Sequence, residues 1–357
     1  MSDWHFDIDP SNDGAPDRDG HPDHPYDWSD ITVSSVAYSP GDNFLIRGGR
    51  TNVANVAIAS FATGVNIKAW DLDLYGPWTL DFQDLAGAII SFFTNPTAAQ
   101  NSVSDFIITH EPGVSPQYVG GVGFGAGVGT KYIRNGIIYL SHPGSQISFG
   151  TNSVPGLNST SELRGLRIQG GAYVAGYYSA SFPMGPPHGV STVNAKDCAF
   201  NGPIGGTNTV CSILNFTNSA INTSMVGGGV DISFGAGAQP AWTGASLPAP
   251  GSPKEDYDVS TINAGITAVL STPPYTGYED DLWGNPRTDI GTGYMAETAT
   301  TTTVAPTTTA APTTLPPTTT SGPTTTAAPG DPDNITVSID DFCVPFEINK
   351  IKMPKLG

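Results

Sequence analysis

The sequence predicts an all-β chain whose body is a solenoid of stacked parallel strands, and three observations carry that expectation. Charged residues make up 13% of the chain while glycine accounts for 43 of its 357 residues. Long stretches rich in Glu, Lys and Leu are absent, a balance that suits turns and short strands and not a helical bundle. From Ile31 onward, short β-prone runs alternate with Gly, Asn, Ser and Pro turns, among them NVAIASF, DFIITH, KYIRNGIIYL, GLRIQG and AYVAGYY. Inward candidates recur at every second place. That pattern fits a sandwich or barrel as well as a parallel solenoid. Segments 191–202 and 212–224 tip the balance, because both run apolar–polar–apolar into an Asn- or Asp-containing corner followed by Phe, as NAKDCAF and ILNF. Stacked coils set like residue above like residue, so Asn ladders and aromatic stacks are expected there.

The chain opens with an acidic cap over residues 1–30, carrying Asp3, Asp7, Asp9, Asp13, Asp17, Asp19, Asp23, Asp27 and Asp30. Within it, Asp9, Asp13, Asp17 and Asp19 offer oxygen ligands around Gly14, in the manner of a calcium loop. The twelfth position is Gly20 and not the bidentate Glu such a loop requires, and no helices flank it. A solvated, turn-forming cap is the simpler reading, and calcium is the one cofactor the sequence raises. His5, His21 and His24 are too irregularly spaced for a metal cluster.

Residues 31–297 form the β body. Gly121 to Gly129 reads GVGFGAGVG, which tempts a dinucleotide-binding reading. That motif needs a helix next, and the strand-like KYIRNGIIYL follows instead. Period 2 puts Val122, Phe124, Ala126 and Val128 on one face and bare backbone on the other.

The two ends of this body carry a resemblance. The opening runs from Phe6-Asp-Ile-Asp9-Pro to Tyr26-Asp-Trp28-Ser-Asp-Ile31. Near the end, Ser260-Thr-Ile-Asn-Ala-Gly265 is followed by Asp281-Leu-Trp-Gly284-Asn-Pro286-Arg287 and Asp289-Ile-Gly291-Thr-Gly-Tyr294. These stretches resemble the start and the closing segment of right-handed parallel β-helix proteins. The gap between Arg287 and Asp289 is short, and Met295-Ala stands where the family has Glu. The resemblance implies a right-handed parallel β-helix; on physical grounds Arg287, one of few cations here, is expected to cap the last coil by pairing with Asp281 or Asp289. It implies a fold and not an activity, since similar helices serve lyases, adhesins and viral spikes. At roughly 20 to 25 residues per coil, the body would hold about 11 to 13 coils. With about 4.8 Å between strands, that makes a rod of some 50 to 60 Å.

Residues 298–333 are an extended Thr/Ala/Pro-rich spacer: TTTVAP from Thr301, TTTAAP from Thr307, TTLPP from Thr313, TTTSGP from Thr318 and TTTAAP from Thr324. Proline at this density supports neither helix nor sheet ladder. At roughly 3.1 Å per residue the segment could span on the order of 100 Å. Residues 334–357 form a short C-terminal β tail in which Ile335, Val337, Ile339, Phe342, Val344 and Phe346 make an apolar series ending in Lys350, Lys352 and Lys355. A segment this short cannot bury enough surface to fold alone. It is suited to adding a strand to a partner's sheet, and is the expected anchor.

Formal net charge is −18, from 14 Lys+Arg against 32 Asp+Glu. That field repels nucleic acid and anionic membranes, and weakens the case for an acidic polysaccharide as a tightly bound substrate. No apolar run is long enough to cross a bilayer, and MSDWHFDIDPSND has no secretory features. Cys198, Cys211 and Cys343 lack metal spacing; the first two read as buried thiols. Glycan hydrolysis calls for two carboxylates about 5 to 9.5 Å apart. Asp71 and Asp73 would share a strand face at that order of spacing, with Trp70, Tyr75 and Trp78 for sugar stacking. An ordinary outward acidic face explains them as well. Arg164 and Arg167 could grip a carboxylate, and surface placement explains them equally. Glu279, Asp280 and Asp281 read as a solvated loop. No Ser–His–Asp signature, phosphate loop or zinc spacing occurs.

These features are expected of a non-enzymatic structural or attachment protein of a virion, a bacteriophage fibre, spike or capsid decoration. Its tail would bind other virion proteins, host surface glycans are an expected target, and trimerisation fits such a rod. The alternatives are a glycan-cleaving β-helix enzyme, lyase or hydrolase, acting through Asp71 and Asp73, and a bacterial surface adhesin, extracellular or on the cell surface.

Overall fold

The computed structural model describes residues 2–7, 19–27, 30, 36–49, 51–53, 58–60, 64–81, 89–92, 101–110, 121–124, 129–140, 146–150, 156, 158–175, 189–222, 227–236 and 278–284. All of these belong to the first of two units, Met1–Thr302; the second, Thr303–Gly357, lies outside the described residues.

The chain is all-β, with one short helix among the described elements. In order these are β1 (Asp3–Asp7), β2 (Tyr26–Asp27), β3 (Asn43–Ile46), β4 (Thr51–Val53), β5 (Ile58–Ser60), β6 (Asn66–Ala69), α1 (Leu72–Tyr75), β7 (Trp78–Asp81), β8 (Ile89–Phe92) and β9 (Asn101–His110). There follow β10 (Gly121–Phe124), β11 (Gly129–Leu140), β12 (Gln146–Gly150), β13 (Ser159–Gln169), β14 (Gly171–Ala175), β15 (Ser191–Lys196), β16 (Ala199–Asn201), β17 (Ile204–Gly206), β18 (Ser212–Thr217), β19 (Ala220–Ile221) and β20 (Asp231–Phe234).

Among the described residues these strands make a 14-stranded sheet, whose main path is β2-β1-β3-β6-β9-β11-β13-β15-β18-β20, and a 6-stranded sheet, β17-β14-β12-β10-β8-β5. Every pairing between them is parallel. From β7 to β18 the chain passes alternately between the two sheets, and each return lies beside the previous pass. Parallel neighbours need such crossovers, and the pattern is compatible with a β-helix-like solenoid. The passes are uneven: hydrogen-bonded residues in one column are separated by 18 residues between Ser233 and Asn215 and by 36 between Ser102 and Asn66. The expected 20 to 25 residues per coil is too regular, because loops of different length close successive passes.

Period 2 explains the core. One register line runs Trp4, Phe44, Ile67, Val103, Ile133, Leu163, Ala195, Phe216 and Phe234. Its members from Phe44 to Phe216 are buried, and Phe234, on the last described strand, is 43% exposed. Leu80, Ile108, Ile138, Ile168, Phe200 and Ile221 form a second buried line. The smaller sheet turns Val122, Ile147, Ala172 and Ile204 into the same cluster. The first four residues of the Gly121 repeat form β10, with Val122 and Phe124 inward and Phe124 stacked on Phe149 at 5.6 Å, while Ala126 and Val128 lie outside the described residues. Gly136 makes room for a neighbour, since a Cβ there would collide with the Phe106 ring.

Between the two inward lines the large sheet turns a corner, and one residue per pass takes a left-handed conformation: Asp105 (φ 60), Asn135 (φ 50), Gly165 (φ 63), Asp197 (φ 57) and Asn218 (φ 45). Asn, Asp and Gly tolerate that region better than other residues. The corner residues are also tied to one another, Asn135 Nδ2 donating to Asp105 Oδ1 at 2.8 Å.

The segment read as an acidic cap supplies the first strand of the large sheet. Phe6 is fully buried, and the Asp42 carboxylate accepts from Ser39 N, Ser2 N and the Trp4 indole. Those donors hold its pKa below the ordinary carboxylate value, the Ser39 N–H foremost.

Candidate functional site

Asp71 and Asp73 do not share a strand face, which corrects the sequence expectation. Asp71 is the N-cap of α1, its Oδ1 accepting from Leu74 N at 2.9 Å, and Asp73 lies in the first turn. Aspartate is a favoured N-cap because its carboxylate satisfies a helix N–H that has no intrahelical partner. The alternation in AWDLDLYG is thus a helix start; Leu72 packs on the core and Leu74 is 68% exposed. Of the expected stacking aromatics, Trp78 is fully buried with its indole donating to Ser104 O at 2.8 Å. Trp70 lies between His5 and Tyr75, and the Arg47 guanidinium covers the Tyr75 ring at 4.5 Å.

Among the calcium candidates, Asp9, Asp13 and Asp17 lie outside the described residues, and Asp19 accepts from His21 N at an exposed turn. Among the described residues no group of three or more His, Cys, Asp or Glu is placed to hold a metal ion. The anchoring candidates Ile335, Val337, Ile339, Phe342, Val344 and Phe346 lie outside the described residues, as does Arg287. Cys198 and Cys211 are buried free thiols, and burial pushes the Cys198 thiol up to about 12.

The outward face of β11, β13, β15 and β18 concentrates unusual side chains. One column reads Ser104, Arg134, Arg164, Lys196 and Thr217, in register on adjacent strands. Of the chain's 14 Lys+Arg, five lie on β11, β13 and β15: Arg134, Arg164 and Lys196 in this column, and Lys131 and Arg167, both buried. Arg164 pairs with Glu162 at 2.6 Å and donates to Leu163 O and Asn194 O. The Arg134 guanidinium lies 4.4 Å from the centre of the Tyr132 ring. Its pKa is pressed down, by burial first and also by Arg164, while Glu279 acts the other way; an arginine stays charged at neutral pH regardless.

Beside the cations runs a polar column: Asp3, Asn43, Asn66, Ser102, Tyr132, Glu162, Asn194, Asn215 and Ser233. Asn43 donates to Asp3, Asn66 to Asn43 and Ser102 to Asn66; beyond Tyr132, Asn194 donates to Glu162, Asn215 to Asn194 and Ser233 to Asn215. The expected Asn ladder is present, in mid-strand and outward instead of at the corner.

Residues 278–284 border this face. Tyr278 O–H donates to Asp197 Oδ2 at 2.5 Å, Asp281 O accepts from Asn135 Nδ2 at 3.2 Å, and Leu282 packs on Ile137. Gly284 abuts the Asp73 carboxylate. The segment is a strap across the strands, from the β15 pass to α1. Asp281 is 1% exposed and accepts from Trp283 N, so only Glu279 and Asp280 of the acidic triplet are solvated. Arg167 is fully buried, which rules out surface placement, one of its two expected readings. The cation column escaped sequence reasoning, although its signal was there: YIRNG, ELRGL and NAKDC align as polar, apolar, cation, corner. Among the described residues this face is ordered into a cationic column and a hydrogen-bonded polar column, an arrangement suited to binding. Compared with known proteins, the chain matches no family model, no curated protein and no solved structure, so its functional reading rests on its own residues.

Proposed function

We propose that this chain is a non-enzymatic virion protein, a phage fibre, spike or capsid decoration, displaying a right-handed parallel β-helix and held by residues 334–357. The observation that carries the reading is where the polar side chains go. Asn43, Asn66, Asn194 and Asn215 bind the neighbouring strand, Asp71 caps a helix, and Asp105, Asp197 and Asn218 shape corners. These groups serve the persistence of a stack and are not gathered around a reacting bond. A long Thr/Pro spacer and an apolar tail that cannot fold alone are the parts a displayed rod needs for attachment. The test is particle composition after deletion of residues 334–357. The deleted protein should be missing from purified particles, and full occupancy would refute the anchoring role.

A further inference from the structure

We infer that the outward face of β11, β13, β15 and β18 binds a linear polyuronate, a polysaccharide bearing regularly spaced carboxylates, laid along the Arg134–Arg164–Lys196 column; the inference deepens the attachment reading and rests on it. Total charge argues the other way, at −18. Within the column itself the sign is opposite: three cations stand in register on three adjacent strands. Adjacent parallel strands lie about 4.8 Å apart, so three charges line up over roughly 10 Å. Stacking like charges is unfavourable, and Arg164 does depress the pKa of Arg134. Glu162 offsets part of this through Arg164. Lys196 has no carboxylate within ion-pair distance among the described residues.

The neighbouring column supplies the rest of a sugar site. Asn194 donates one N–H to Glu162 and accepts from Asn215. A carboxamide has two N–H groups and two lone pairs, so one donor and one acceptor remain to meet a ligand hydroxyl. Tyr132 adds a ring beside Arg134. A single phosphate or sulfate would use one or two of the cations and none of the ladder. A nucleic acid would bring a broad polyanion against Glu162, inside the polar column, and Glu279, which acts on Arg134. A narrow chain with an acid and hydroxyls on each sugar uses both columns, where the carboxylate of Glu162 is already held by Arg164 and Asn194.

The full-length protein should be titrated calorimetrically with polygalacturonate, with dextran as neutral polymer and oligothymidylate as an unrelated polyanion. Polygalacturonate should bind, more weakly as salt rises, and R134Q/K196Q should weaken it by about tenfold or more. Lys196→Gln alone, which removes no ion pair among the described residues, should leave the unfolding midpoint unchanged while weakening binding. Absence of polygalacturonate binding, equal binding by R134Q/K196Q, or oligothymidylate binding as tightly at the same residues would each overturn the inference. Particle composition separates the two ideas: normal incorporation without polyuronate binding sinks this site alone.

Discussion

Asn215 donates from Nδ2 to Asn194 Oδ1 at 2.9 Å, and the two residues stand opposite one another on β18 and β15. Asn194 in turn donates to Glu162 at 2.7 Å, so the ladder needs an amide at that step. Asn194→Asp would set one carboxylate against another. Thermal unfolding should show a loss of about 1–2 kcal/mol at neutral pH. The loss should shrink near pH 4, where one carboxyl takes a proton. A pH-independent deficit would contradict the ladder's role.

The strap is held by few groups, of which Leu282, fully buried against Ile137, is the main apolar one. Leu282→Ala should cost about 2–4 kcal/mol locally. Amide exchange should speed up at residues 105–110 and 135–139, whose outward side the strap covers, while β18 amides keep their protection. Unchanged exchange in both places would mean that the strap is not bound through Leu282.

Asp71 separates a structural role from a catalytic one. Asp71→Ala should lower stability by about 1 kcal/mol, and Asp71→Asn should restore most of it, because asparagine caps as well as aspartate. A glycan-cleaving enzyme would lose activity in both variants. Sustained glycan cleavage by the parent, abolished in Asp71→Asn, would overturn the non-enzymatic reading.

Lys131 points inward on β11 opposite Ser161, and burial lowers its pKa from 10.5 to about 8. The unfolded chain holds the proton up to higher pH than the folded one, so this group's contribution to stability rises between about pH 8 and about 10.5. Below pH 8 it is unfavourable by roughly 3 kcal/mol. The stability difference between Lys131→Met and the parent should therefore shift by about that amount across this window, in the parent's favour as pH rises. A constant difference would show that the amine is solvated.

Much of the fold was legible because it is written in period 2. The alternation in KYIRNGIIYL, the Phe of NAKDCAF and ILNF, and the glycine repeat over its first four residues became strands with the expected inward faces. What failed was local. AWDLDLYG alternates just as well, yet Asp71 can cap a helix, and four residues of alternation do not distinguish the two. Tyr278, Asp281 and Leu282 acquire their roles only through partners far away in sequence, the Asn135–Asp281 contact spanning 146 residues. Nothing in EDDLWG announces it. The cation column needs the register of passes of unequal length, and single-sequence periodicity does not supply that register.

A density map of the native assembly, at a resolution that separates strands, tests the central claim most directly. It should show parallel rungs about 4.8 Å apart, with residues 334–357 ordered against another virion protein. Antiparallel facing sheets in the body, or a tail standing free in solvent on every copy, would contradict it.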